Sequence, residues 1–386
     1  MTGRKTLLGI GTVVAMIGFN TAAQAEEILI GVATAQTGGL APFDQPSLKG
    51  FEMAIEELNA KGGLGGKYTA KLLIKDTRTD MAQTATVAQE LVDAGVKIMI
   101  TPCDADSTIA ASQITAPLSI PTLTFCGTAP ILTVAVPEHA YGTYPADNLA
   151  ATAVADFALS EGKKTAYLLI SPDAAYTANL PEYFAKVFEA KGGKIVGRGS
   201  FTMGQPDFSA EVTNIRGLAE KPDMIMTGAY EPDFPAFLQQ LRAAGVDTPV
   251  YGADALGTPT IRDLGKLVDG VVYTASGYAE PGSKLASFDE AFTKYAGHAP
   301  ESTYEVNGYE IGLILDEAVR VADSDDSAAI SAAIKGLDHF EGITGEITYA
   351  GTTGMPARAL ALMRYENGEA KHIATLTPDA ADVPAP

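Results

Sequence analysis

The sequence predicts an α/β protein with two lobes, each a mostly parallel sheet with helices on both faces. Three observations lead there. From Ile28 onward, short aliphatic and β-branched runs alternate with amphipathic stretches of about 10–15 residues, the rhythm of βαβ units. The alternation breaks near Pro145 and starts again with the same rhythm but no repeated sequence. The length of 386 residues suits two cores at the usual ~150 residues per domain.

In the first set, residues 28–32 read as a buried strand. Residues 47–60 read as a helix with Phe51, Ala54, Ile55 and Leu58 on one face, closed by Gly62 and Gly63. Residues 71–75 follow as a strand, 82–94 as a helix with Val87 and Leu91 inward, 97–101 as a strand, 107–119 as a helix and 122–125 as a strand. In the second set, helices at 151–160, 181–190, 208–219 and 234–244 alternate with strands at 165–170, 195–201, 224–227 and 250–251. After a strand at 271–274 come three consecutive helices, 285–296, 303–322 and 328–335. Residues 359–365 and 372–376 form a terminal hairpin around Asn367-Gly368, a dipeptide suited to tight hairpin turns. Residues 378–386, rich in Pro, Ala and Asp, read as a disordered tail.

The first 25 residues are of another kind. Arg4 and Lys5 give a basic start, residues 7–19 an apolar run, and Ala23-Gln24-Ala25 small residues ahead of Glu26-Glu27. This is the pattern of a secretory signal peptide, and the apolar run is short of the ~20 residues of a membrane span. Cleavage is expected after Ala25, which places the mature chain in the periplasm with no membrane insertion of its own. Removing this leader takes the net charge from −20 to −22, because it carries two positive and no negative side chains. Such acidity argues against nucleic acid, whose phosphates need a basic face, and against anionic membrane surfaces. Its simplest consequence is solubility.

Ligands of open parallel sheets bind beyond the carboxyl ends of the strands. On the first lobe those positions hold residues 36–43 with Phe43, then Pro102-Cys103-Asp104-Ala105-Asp106-Ser107-Thr108, then Cys126-Gly127-Thr128-Ala129-Pro130. On the second lobe they hold residues 171–176 with Tyr176, Ala229-Tyr230-Glu231-Pro232-Asp233 and Gly252-Ala253-Asp254-Ala255. Free amides at the helix starting near Ser107, with the Thr128 hydroxyl, suit a carboxylate. Asp254 and Glu231 suit a cation, and Tyr176 and Tyr230 offer flat walls with polar tips. Phe43, Cys103, Ala105, Asp106, Cys126, Thr128, Tyr176, Tyr230 and Asp254 are therefore the candidate ligand-binding residues. Cys103 and Cys126 follow neighbouring strands, which lie ~4.8 Å apart, a spacing compatible with a disulfide. Two small buried thiols lining the cleft are the other reading.

No Gly-x-Ser-x-Gly, His-Glu-x-x-His, Cys-x-x-Cys or phosphate-binding Gly-x-x-x-x-Gly-Lys motif occurs. Residues 62–67 are Gly-rich but wrongly spaced for phosphate. His139, His298, His339 and His372 lack metal-ligand spacing. Neither a cofactor nor a metal nor an enzymatic role is expected.

The stretches 30–39, Lys49-Gly50, 59–63, Ser107-Thr108, Gly127-Thr128-Ala129-Pro130 and 228–233, in this order and spacing, resemble the periplasmic leucine/isoleucine/valine-binding protein family, type I solute-binding proteins of ABC importers. The resemblance implies two Rossmann-like lobes joined by a three-crossover hinge, with the solute closed between them. It implies an N-terminal lobe of residues 26–146 plus 276–355 and a C-terminal lobe of 147–275 plus 356–377. It implies a small-molecule ligand and permease subunits as partners. The family's carboxylate-binding Ser falls at Ala105, its partner Thr at Thr128, its aromatic wall at Phe43, its tyrosines at Tyr176 and Tyr230, and its ammonium-binding acid at Asp254. The family's small-loop disulfide is not reproduced, since Asp76-Thr77-Arg78-Thr79 has no Cys. The lost Ser hydroxyl leaves two ligand classes open: an amino acid, branched-chain or other, and a hydroxylated aromatic carboxylate. A ligand sensor with the same fold is the rival to a transport receptor.

Overall fold

The structure, a computed structural model, describes residues 1–3 and 26–386. The signal sequence and its cleavage point lie, save for the first three residues, outside the described residues. Among the described residues no helix is long and apolar enough to cross a membrane.

The first lobe is built on five parallel strands, β1 (Glu27–Thr34), β2 (Thr69–Asp76), β3 (Ile98–Thr101), β4 (Thr122–Thr124) and β5 (Ala140–Tyr141), in the order β2-β1-β3-β4-β5. Helices α1 (Ala41–Ala60), α2 (Met81–Asp93), α3 (Ala105–Thr115) and the short α4 (Ile131–Ala135) connect them. The second lobe follows as α5 (Asp147–Ser160), β6 (Thr165–Ile170), α6 (Ala175–Ala190), β7 (Lys194–Ser200), α7 (Ser209–Gly217), β8 (Met224–Thr227), α8 (Asp233–Ala243), β9 (Val250–Tyr251), α9 (Pro259–Arg262) and β10 (Val272–Ala275). The chain then returns to the first lobe for α10 (Lys284–Ala296), α11 (Tyr304–Ala322), α12 (Ser327–Lys335) and a small hairpin, β11 (Phe340–Glu341) with β12 (Glu346–Ile347). It ends on the second sheet with the antiparallel pair β13 (Leu360–Glu366) and β14 (Glu369–Leu376), giving the order β14-β13-β10-β9-β8-β6-β7. Three crossovers, residues 142–146, 276–283 and 348–359, therefore join the lobes.

Period-two alternation explains why both faces of each sheet are covered. On β3, Ile98 and Ile100 point to a core shared with α1, α11 and α12, while Met99 points to Val87, Leu91 and Ala111 on α2 and α3. On β6, Tyr167 and Leu169 face α7 and α8, and Ala166 and Leu168 face α5 and α6. Helices α1 and α11 approach backbone to backbone. A Cβ on Gly308 would lie 1.8 Å from the Ser47 carbonyl oxygen, and one on Gly50 would lie 1.7 Å from that of Glu305.

The elements differ from expectation mainly at helix starts. Helix α1 begins at Ala41, six residues before position 47, because Pro42 in its first turn lacks the N–H that would go unpaired there. Helix α6 begins at Ala175 and carries Pro181 inside it, so that proline does not mark the first turn. Helix α3 begins at Ala105, capped by the Asp104 carboxylate, which accepts from the Ser107 amide at 2.8 Å. In the first lobe α4 and β5 were not expected, nor were α9 and the β11–β12 hairpin. The tail makes two contacts with the second lobe. Lys191 Nζ pairs with Asp382 at 2.7 Å and Asn148 Nδ2 donates to the Pro384 carbonyl at 2.8 Å, so residues 378–386 lie along the second lobe.

The crossovers are pinned by a buried ion pair. Arg358, on the third crossover, reaches Glu310 Oε2 of α11 at 3.0 Å and donates to the Thr143 carbonyl on the first crossover at 2.6 Å. Both side chains are almost fully buried, and the Thr344 amide and hydroxyl also donate to Glu310. Removing only the cation strands a buried carboxylate. Arg358→Met should lower unfolding free energy by about 3–5 kcal/mol in urea titrations, and Arg358→Met with Glu310→Leu should recover most of it. Gly308→Ala should cost about 3 kcal/mol or more through the α1–α11 clash. An unchanged urea midpoint would show that the two helices separate freely.

Candidate functional site

Between the lobes lies a cleft whose space between atoms, counted out to its open mouth, is about 440 Å³. Its first-lobe wall comes from the ends of β1, β3 and β4, as Leu40, Phe43, Cys103, Asp104, Ala105, Cys126, Gly127, Thr128 and Ala129. Its second-lobe wall comes from the ends of β6, β8 and β9, as Ala174, Tyr176, Tyr230, Asp254 and Ala255. Both walls thus lie at strand carboxyl ends, where sheet twist splays the loops apart and leaves backbone polar groups to face a ligand.

Eight of the nine expected residues line this cavity: Phe43, Cys103, Ala105, Cys126, Thr128, Tyr176, Tyr230 and Asp254. Three sit differently from expectation. Phe43, Ala105 and Tyr176 belong to the first turns of α1, α3 and α6 rather than to loops. Asp106 does not line the cavity. Its Oδ2 accepts from the Ala175 amide at 2.9 Å, tying α3 to the start of α6 across the cleft. Glu231 is also turned away, accepting from the Thr258 hydroxyl. The Ser107 amide, expected to meet an anion, is taken by the Asp104 cap.

Cys103 and Cys126 are joined in a disulfide with Cα atoms 4.4 Å apart, which settles the two readings of this pair. The remaining donors on the first-lobe wall are neutral. Among the described residues the amides of Ala105, Thr128 and Ala129 have no hydrogen-bond partner. The Asp104 and Asp106 side chains already occupy the first turn of α3, so a ligand anion would meet Thr128 and these amides rather than the helix end alone. Burial raises the Asp104 carboxyl above its ordinary range, which eases that competition.

The acidic side of the cavity is Asp254. Tyr304, at the first turn of α11, donates to the Asp254 carbonyl at 2.9 Å and lies 3.4 Å from its Oδ2, while the Tyr176 hydroxyl is 3.4 Å from Oδ1. One phenolic proton serves one acceptor at a time, and the shorter distance is to the carbonyl. The carboxylate is thus short of donors, and burial pushes it up to about 7. Asp147, in the first turn of α5, is fully buried, and its oxygens lack a well-formed hydrogen bond, with the Thr128 hydroxyl the side-chain donor beside them. Its carboxyl is pushed well above the ordinary range by burial. Among the described residues no Lys, Arg or His lines the cavity. Phe43 meets Tyr230 and Tyr304 edge-on at 5.9 and 5.4 Å, and Tyr144 lies 5.8 Å from Tyr304, forming an aromatic shell behind the acid.

Sequence reasoning missed Leu40, Asp104, Gly127, Ala129, Ala174 and Ala255 as lining residues, although all but Ala255 and Ala174 flank strand ends on the first lobe. It also missed Tyr304 and Asp147. Tyr304 reaches the site from a helix of the returning segment, and only the position of that helix start after a crossover could have marked it. Among the described residues no cluster of His, Cys, Asp or Glu is placed to hold a metal ion.

The periplasmic binding protein family profile matches residues 27–370. A Leu/Ile/Val-binding protein, BraC3 of Rhizobium johnstonii, is 27% identical over 369 residues, covering 95% of this chain and 98% of its own. The leucine binding protein LivK of Thermotoga maritima superposes with a TM-score of 0.83 at 24% identity, covering 91% of this chain and 99% of its own. A solute binding protein of an ABC transporter from R. palustris, in complex with benzoate, superposes with a TM-score of 0.81 at 19% identity, covering 91% and 97%. With its two parallel-sheet lobes, three crossovers and interlobe cavity, the chain belongs to the periplasmic binding protein family.

Proposed function

We propose that this protein is a non-enzymatic receptor that binds a small carboxylate-bearing solute, foremost an α-amino acid with an apolar side chain, and delivers it to the permease of an ABC importer from the periplasm. One observation carries the reading. The cavity opposes neutral donors, Thr128 and the unpaired amides, to a buried carboxyl short of donors, Asp254, across an apolar floor. A zwitterion with a hydrocarbon side chain meets all three. The name of BraC3 as a Leu/Ile/Val-binding protein supports the same ligand class.

The lobes in this reading are residues 26–146 plus 276–355 and 147–275 plus 356–377, preceded by a leader cleaved after Ala25. A solute touching Thr128 on one lobe and Asp254 on the other makes all its contacts only when the lobes are together, so binding favours closure. Hinge closure is the general behaviour of periplasmic binding proteins and is applied to this chain by analogy. The Ala175–Asp106 hydrogen bond and the Phe43–Tyr230 ring contact are the protein's own share of that closure.

A second reading has its own support. Phe43, Tyr176 and Tyr230 would accept an aromatic ring, and an acid held at about 7 suits a phenol as readily as an ammonium. The R. palustris relative holds benzoate. A sensor feeding a receptor would use the same pocket, and absence of neighbouring permease and ATPase genes would favour it.

The sign of pH dependence separates the ligand classes. An ammonium beside Asp254 favours its ionised form and lowers its pKa, so affinity for an amino acid should rise between about pH 5.5 and 8 and level off above. An aryl carboxylate without an ammonium disfavours the ionised acid, and its affinity should fall over the same range. Calorimetric titration of refolded, ligand-stripped protein with leucine, isoleucine, valine, benzoate and 4-hydroxybenzoate reads both. Asp254→Asn should weaken an amino acid at least tenfold, roughly the worth of a charged hydrogen bond, and flatten the pH profile. Thr128→Ala should weaken any carboxylate by a factor of about 10–100 while leaving the urea midpoint of the empty protein nearly unchanged. Full affinity in both variants would place the solute elsewhere.

A further inference from the structure

We propose that the Cys103–Cys126 disulfide positions the donor groups that take the ligand's carboxylate, a role that rests on the carboxylate reading above. Strands β3 and β4 pair in parallel through Thr101 and Thr124. The last hydrogen bond of that pairing runs from the Phe125 amide to the Thr101 carbonyl at 2.9 Å. Each cysteine lies two residues past the paired threonines, so the disulfide is a covalent rung beyond the last hydrogen-bonded one. It stands at the sheet edge where the ligand wall begins.

Both sulfur-bearing residues line the cavity, and Cys126 is buried. The rung holds together two loops, one with Cys103, Asp104 and Ala105, the other with Cys126, Gly127, Thr128 and Ala129. Every neutral donor of the first-lobe wall is within three residues of a bridged cysteine. A second brace fixes the rung to β1. Asp44 Oδ1 accepts from the Cys103 amide at 2.7 Å, and its Oδ2 accepts from the Ala35 amide at 2.5 Å and the Thr34 hydroxyl at 3.2 Å. With Ala at position 105 and no cationic side chain in the wall among the described residues, carboxylate binding depends on several weak donors converging on one point. Convergence of weak donors is worth most when their frame is already rigid. The disulfide supplies that rigidity where the β-ladder has ended. It also faces the solute, so a bound ligand covers the bond it depends on.

Reduction tests this coupling. One thiolate of dithiothreitol attacks a protein sulfur and breaks the S–S bond, giving a mixed disulfide. That step frees one cysteine thiolate, and the second thiolate of dithiothreitol then closes the cyclic disulfide and frees the other, a transfer of two electrons and two protons overall. Oxidised wild type and the double variant Cys103→Ser with Cys126→Ser are titrated calorimetrically with leucine, leucinamide, 4-hydroxybenzoate and 4-hydroxybenzamide. In whichever acid–amide pair the wild type prefers the acid, the variant should bind the acid at least tenfold more weakly and lose distinctly less affinity for the amide, because a charged acceptor gains more from converging donors than a neutral amide oxygen does. In parallel, alkylation and mass spectrometry follow dithiothreitol reduction of the wild type, which needs no folded variant. Saturating acid should slow it at least tenfold, as expected when the ligand covers the attacked sulfur. Equal losses for acid and amide, or unchanged affinities, overturn the positioning role. Reduction at one rate with and without ligand also overturns it. Oxidised wild type that binds none of the four probes overturns the carboxylate reading itself, and the positioning role falls with it.

Discussion

The buried contact between Arg358 and Glu310 is the constraint on which the arrangement of the two lobes depends. A buried ion pair is a weak source of net stability, because desolvating both charges offsets most of their attraction. Its value is geometric. Five guanidinium donors in one plane demand acceptors in fixed directions, and the terminal nitrogens of Arg358 find them on α11 and on the first crossover. From there a chain of contacts leads to the pocket. Next to Thr143, Tyr144 shares a hydrogen bond with Thr303 at 2.6 Å and accepts from the Ser276 amide of the second crossover at 2.9 Å. The Tyr144 ring lies against that of Tyr304, whose hydroxyl reaches Asp254. The three crossovers and the acidic wall of the cavity are thus parts of one packed network.

That network explains how an acidic protein keeps an uncharged-to-acidic cavity. Among the described residues the ionisable groups lining the cavity include the carboxyls of Asp104 and Asp254 and no Lys, Arg or His, and burial raises both carboxyls. A bare anion therefore enters against the local field unless it brings a cation or a proton with it. This makes the charge of the solute, rather than its shape alone, the first filter. The apolar floor of Leu40, Phe43 and the disulfide then discriminates by size.

Much of this was legible in the sequence. Strands at 165–170, 224–227 and 250–251 were read to the residue, because aliphatic runs bounded by turn residues leave few alternatives. The terminal hairpin was legible from Asn367-Gly368, which adopt the positive φ angles of 54° and 77° that such a turn requires. The wall loops were legible because parallel sheets put ligands at strand carboxyl ends. What escaped was local chemistry decided by distant partners. Pro181 read as a helix start but sits inside α6, so Tyr176 moved from loop to helix. Glu231 looked as available as Asp254 until Thr258 claimed it. Tyr304 and Asp147 carry no local signal at all, since one arrives on a helix far along the chain and the other reads as an ordinary first-turn acid.

The order of strands in the second sheet has a consequence for how the molecule is made. Its last two strands, β13 and β14, are added only after the chain has gone back to supply α10–α12 to the first lobe. Neither lobe is a continuous piece of chain. Up to β10 the first lobe lacks α11, which packs along α1, and the second lacks a whole edge. Contacts this far apart in sequence are slow to form, because loop closure must come before they reward it. A growing chain therefore holds both cores incomplete until its final stretch emerges. The lobes are finished nearly together, and a truncation before the end of α12 damages both.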